Sequence, residues 1–101
     1  RSSRVGMIVG VTFPLILFTA ALSVLEAERY ADGSNIQSFG DAIWWSIASV
    51  TTVGYGDKFP VTADGRVIAT FLMVIGIGLF SALTALLAAW VMGDRKKEEK
   101  S

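Results

Sequence analysis

Neither cysteine nor histidine occurs in this chain. Without thiols there is no disulfide framework and no thiolate metal site, and the redox compartment is left undetermined. Without imidazole, the commonest zinc ligand and general base are also missing, so an enzyme would have to work with carboxylates, lysines and hydroxyls alone. No catalytic residue and no cofactor is expected. An excess of charge of either sign is lacking too: nine basic and nine acidic residues cancel. With no basic field, nucleic acid is not an expected partner. What is plentiful is apolar side chain, 52% of 101 residues, which is high for a single soluble domain of that size.

Charge is absent from two long stretches. Residues 5–25 carry none, and about 20 such residues suffice to cross a bilayer as a helix. This run is too long for a cleaved signal peptide and no small-residue cleavage site follows it, so it is read as permanent. We place an outer transmembrane helix at 5–26, with Pro14 as a candidate kink and Gly6 and Gly10 as a candidate close-packing pair. The second uncharged run, 67–93, opens after Asp64, Gly65 and Arg66 and mixes Ala, Gly, Ser and Thr with Leu, Ile and Phe. That composition suits close helix packing or the lining of a cavity, and an inner transmembrane helix is placed at 66–93. Arg1 and Arg4 precede the first span while Arg95, Lys96, Lys97 and Lys100 follow the second. The positive-inside rule then predicts a multi-pass protein of the cell membrane with both termini cytoplasmic, and 94–101 as a cytoplasmic tail. The tail is read either as a helix continuing into the cytoplasm or as a disordered stub, the stub being favoured for so short a piece.

Between the spans, "ERYADGSN" reads as an exposed loop. Ser38 and Asp41 then give an S-x-x-D helix start, and "FGDAIWWSIASV" is apolar but far too short to cross a membrane. A short apolar helix followed by a glycine-containing strip predicts an element that dips into the membrane and returns, its irregular backbone buried in protein or lining water. In Thr52-Val53-Gly54-Tyr55-Gly56, glycines alternate with side-chain residues. Glycine enters left-handed conformations without penalty, and such alternation can aim successive carbonyls of Thr52, Val53, Gly54 and Tyr55 at one axis, with the Thr52 hydroxyl below. A ladder of oxygens suits a weakly hydrated monovalent cation whose water shell it replaces. One chain supplies one wall, so an oligomer of closed rotational symmetry is required. A phosphate-loop reading fails, because no third glycine stands in register and no soluble βα unit follows.

"TTVGYGD" resembles the signature sequence of potassium channels. "WWSIASVTTVGYGDKFPVT" followed by "GRVIATFLMVIGIGLFSALTALLAAW" resembles the pore module of that family, in a prokaryotic voltage-gated-type form. The resemblance covers nearly the whole chain. It implies an all-α membrane fold: two transmembrane helices with a re-entrant pore helix at 38–51 and a selectivity-filter loop at 52–57, assembled as a homotetramer around a potassium pathway. Potassium is the implied permeant ligand, and membrane lipid and further copies of the chain are the implied partners. Carried over by position, Thr52, Val53, Gly54 and Tyr55 coordinate potassium, Gly56 completes the outer end and Thr51 caps the inner mouth. Trp44, Trp45 and Tyr55 form an aromatic cuff, with Asp57 accepting a hydrogen bond from one indole N–H. The plainer reading of the tryptophan pair is an interfacial belt.

Many members of the family carry a carboxylate where this chain has Ala48, which leads to the expectation that a Trp45–Asp57 contact braces this filter. Phe59 matches an outer-mouth position where a ring can receive a quaternary ammonium blocker; the alternative is loop packing before Pro60. Lys58 beside it would oppose cation approach. Gly76 matches the family's hinge glycine, with Gly78 as a neighbour and close helix packing as the alternative. Phe80, Thr84, Ala85 and Ala88 fall at helical spacing for the cavity and gate, and Trp90 for an interfacial anchor. No Pro-x-Pro kink occurs, so a straight bundle crossing is expected. No helix bears arginine at every third position, so nothing here senses voltage. The chain reads as a pore module cut from a longer protein, its sensor or cytoplasmic regulatory domain lying outside it. The competing readings are a weakly selective cation channel and a non-conducting membrane anchor or assembly module.

Overall fold

The computed structural model describes residues 2–100, with side chains described from 4 to 93. Its three helices are α1 (Ser2–Glu28), α2 (Phe39–Val50) and α3 (Ala63–Lys100). Among the described residues all regular structure is helical, and two stretches, Arg4–Glu28 and Ala63–Gly93, are long and apolar enough to cross a membrane.

The long helices run antiparallel. Glu28 at the end of α1 meets Thr62 just before α3, while Phe13 and Phe80 meet further along at a centroid distance of 6.3 Å. Pro14 lies inside α1, which continues through it. The core mixes alanines with larger side chains and lies toward the Glu28 end: Ala20, Ala21, Val24 and Leu25 of α1, Ile36, Ala42, Trp45 and Val50 around α2, and Ala69 and Leu72 of α3. Alanine at these positions lets the backbones approach, which matters where lipid removes the hydrophobic drive between helices and leaves van der Waals packing to hold them.

Away from that core the helices are apolar on almost every side. Met7, Val11, Leu15, Phe71 and Val74 are all more than half exposed. Only 28% and 11% of the most apolar stretches of α1 and α3 are buried within this chain. A soluble core helix would be covered, so these surfaces call for lipid and neighbouring helices.

α2 is short because both ends are capped. The Ser38 side chain accepts from Asp41 N–H at 3.1 Å, and Asp41 places a carboxylate in the positive first turn. At the other end Thr51 N–H closes on Ile47 O at 3.1 Å. Its core side carries Ala42, Trp45 and Ser46, at helical spacing of three and four. The buried Ser46 hydroxyl donates to Ala42 O at 2.8 Å, so no polar group there is left unpaired. A stacked Phe18–Phe39 pair ties the start of α2 to α1.

Two expectations are corrected. "ERYADGSN" is not exposed throughout, because Ser34 is buried together with the following Ile36. The Ser34 hydroxyl bonds to Glu28 and to the Ile36 backbone, which satisfies the turn as it re-enters the core. For the tail the favoured disordered stub gives way to its alternative, a continued helix: α3 runs to Lys100. Extending a formed helix avoids the cost of nucleation, and the Arg, Lys and Glu residues there are good helix formers.

Candidate functional site

The strip after α2 has alternating backbone handedness. Thr52, Gly54 and Gly56 have φ of 63°, 56° and 81°, while Val53 and Tyr55 between them do not enter that region. Glycine accepts this freely, but Thr52 does not: a β-branched residue there is a steric outlier, at a cost of roughly 1–2 kcal/mol. Sequence reading assigned the left-handed positions to glycine and missed Thr52. Backbone strain of this kind persists where surrounding structure imposes it. Here the tether is the C-terminal turn of α2: Thr52 N–H donates to Ser49 O at 3.2 Å and Gly54 N–H to Ala48 O at 3.0 Å. Thr51 Oγ1 donates to Ile47 O at 2.7 Å.

The outer end is held from the side. Trp44 Nε1 donates to both carboxylate oxygens of Asp57, at 2.9 and 3.1 Å. The Trp44 ring also stacks on Tyr55, at 5.3 Å between centroids and 11° between planes. The expected brace was Trp45, and this is corrected: Trp45 lies in the core, 4% exposed, beside Ala42 and Val24. One residue along a helix is a rotation of about 100°, enough to move an indole from the filter side to the core side. Behind the strip a cavity of about 280 Å³ is lined by Trp44, Ile47, Ala48, Thr51, Val53 and Tyr55. Ala48 contributes only a methyl to it.

The loop beyond the strip is anchored too. Phe59 N–H donates to Asn35 Oδ1 at 3.0 Å while its ring stays half-exposed. Glu28 is the functional-looking residue that sequence reading passed over, taking it only as the start of the exposed loop "ERYADGSN". It is fully buried and accepts from Val61 N–H at 2.7 Å, Thr62 N–H at 2.8 Å, the Thr62 hydroxyl, and Ser34 Oγ at 3.4 Å. Thr62 Oγ1 in turn accepts from Gly65 N–H at 2.9 Å, so one carboxylate fastens the end of α1 to the cap of α3. A signal was present: Ala21, Val24, Leu25 and Glu28 continue one buried stripe at i, i+3, i+4 and i+7.

In α3, Gly76 is buried where a side chain has no room: an added Cβ would collide with Val50 Cγ1 at the end of α2. Close packing thus occupies the hinge candidate, whereas Gly78 faces open space. Phe80 is half-buried with its ring against Phe13, which leaves only part of it for a cavity. Thr84, Ala85, Ala88 and Trp90 are exposed on the single chain. Among the described residues no cluster of acidic side chains is arranged to hold a metal ion.

Two apolar spans, a capped half-length helix and a strip of alternating handedness define a pore-loop membrane protein. The chain belongs to the ion-channel family, whose model it matches over residues 10–93. It is 34% identical over 94 residues to a cyclic nucleotide-gated potassium channel of Rhizobium etli, covering 91% of this chain and 26% of that protein. It is 39% identical over 83 residues to a calcium-gated potassium channel of Thermoplasma volcanium, covering 82% of this chain and 24% of that one. The chain therefore spans about a quarter of the length of these relatives. Its fold matches the crystal structure of a voltage-gated K+ channel pore module in a closed state in lipid membranes. The TM-score is 0.72 at 27% identity, over 98% of this chain and 99% of the other. The architecture is that of a potassium-channel pore module, and the ion-channel family is not a class of enzymes.

Proposed function

We propose that four copies of this chain surround a potassium-selective pathway through the cell membrane, with both termini in the cytoplasm. The carbonyl oxygens of Thr52, Val53, Gly54 and Tyr55 from each copy replace the water shell of a passing potassium ion, and Gly56 ends the ladder. Thr51 stands at the inner mouth. The observation that carries this reading is the alternation of positive φ at Thr52, Gly54 and Gly56, the backbone form that directs successive carbonyls to one side. The Trp44 contacts to Tyr55 and Asp57 support it, because an oxygen cage selective for one ion must hold its shape. Exposed Val53 and Tyr55, and the cavity behind them, are surfaces that a neighbouring copy covers in a four-fold assembly.

Gating of such a pore would act on α3. The two relatives are named for cyclic nucleotide and calcium gating, and a sensor or cytoplasmic domain attached to this pore would act by bending or spreading α3. Gly78, which nothing crowds, is better placed to bend than Gly76.

The test is the reversal potential of the purified protein in planar bilayers under opposed potassium and sodium gradients, followed by barium. Reversal near the potassium equilibrium potential and block by barium are expected. Reversal near zero would replace this reading with a weakly selective cation channel. Silence from a chain that cross-links only as a monomer would replace it with an anchor.

A further inference from the structure

One charge pair plays no part in the ladder. Lys58 Nζ lies 3.6 Å from Asp41 Oδ1, each side chain about a third exposed. Asp41 is held by the helix start around it: its N–H donates to Ser38 Oγ at 3.1 Å and its Oδ2 accepts from Gln37 N–H at 3.3 Å. The backbone of Lys58 is held on both sides, by the Trp44–Asp57 contact before it and the Phe59–Asn35 bond after it. Its long side chain is what remains free to move. The only partner that holds the ammonium among the described residues is Asp41.

We infer that Asp41 is a positioning residue for ion entry, acting through Lys58. This rests on the four-fold pore reading, in which Lys58 follows the outermost filter residues and four ammonium groups ring the mouth. A cation approaching such a ring meets repulsion of order RT or more from the four charges together when they lie within about a Debye length. Drawn back onto Asp41, each ammonium is neutralised and set beside the start of α2 rather than over the entrance. The carboxylate thus cancels an obstacle that the sequence places next to its own filter.

The experiment measures inward single-channel current through the reconstituted tetramer in low (about 20 mM) and high (about 1 M) potassium chloride. Wild type is compared with D41N, D41E, K58Q and D41N/K58Q, each checked for tetramer by cross-linking. At low salt D41N is expected to lower inward current roughly two-fold or more, and at high salt, where the Debye length is about 3 Å, the deficit should vanish. D41E should restore the current. In the K58Q background D41N should change little, because the charge it released is gone. An equal deficit at both salt concentrations, or an equal deficit with and without Lys58, overturns the inference and leaves Asp41 as a helix cap only. A wild-type channel without potassium selectivity overturns the pore reading itself, which the salt comparison does not address.

Discussion

Replacing Glu28 by glutamine keeps the shape of the side chain and removes what its site requires. The carboxylate receives donors only: two backbone N–H groups at 2.7 and 2.8 Å and hydroxyls of Thr62 and Ser34. Glutamine offers one accepting oxygen, and its NH2 must then face a donor. A hydrogen bond to a charged acceptor contributes about 1.5–3 kcal/mol, and a buried donor left unpaired costs a further 1–3. Because one strong hydrogen bond is removed, Glu28→Gln should destabilise each subunit by about 3 kcal/mol, and Glu28→Ala, which orphans both N–H groups, by about 4 or more. The effect should appear as tetramer dissociation at lower temperature in detergent and as faster amide exchange at Val61 and Thr62. Gly65→Ala attacks the same joint from the other side, because its Cβ would lie 2.5 Å from Glu28 Oε2 and 2.9 Å from Thr62 Oγ1. Its effect should therefore be less than additive with Glu28→Gln. Glu28→Gln with dissociation and exchange both within about 0.5 kcal/mol of wild type would refute the reasoning, since no buried carboxylate accepting two amides could be replaced so cheaply.

Trp44→Phe removes both hydrogen bonds to Asp57 while keeping the ring on Tyr55, and should speed the decay of current during sustained opening. Trp45→Phe should instead lower tetramer stability with selectivity unchanged; the reverse pattern would restore Trp45 as the brace. Gly76→Ala drives a methyl into Val50 and should cost about 1–3 kcal/mol by overpacking, visible as lower thermal stability, whereas Gly78→Ala should not. External tetraethylammonium should block the channel through the half-exposed Phe59 ring, and Phe59→Val should abolish that block. The Asp41 carboxyl is held below its ordinary value chiefly by Gln37 N–H, with burial opposing and Lys58 assisting. Its contribution is therefore full above the ordinary aspartate value near 4 and disappears only as pH falls through the lowered one. The stability difference between wild type and D41N should stay constant from neutral pH to about 5 and shrink only in stronger acid.

The amino-acid sequence alone determined the membrane spans, the short capped helix and the strip that follows it. These depend on local properties: uncharged runs as long as a bilayer is thick, Ser38 and Asp41 at cap spacing, and glycines alternating with other residues. The family resemblance came from the same continuous stretch. Contacts between segments were decided by the tertiary structure. Which of two adjacent tryptophans reaches Asp57 depends on the face α2 turns to the core, and both indoles satisfy the same sequence pattern. Glu28 looks like an outer-surface acid until the chain returns 33 residues later and presents Val61 N–H to it. The left-handed Thr52 is imposed by bonds from the end of α2, against its own preference. Period, length and capping are encoded in neighbouring residues, whereas the partner of a polar group is chosen by packing, which no local pattern contains.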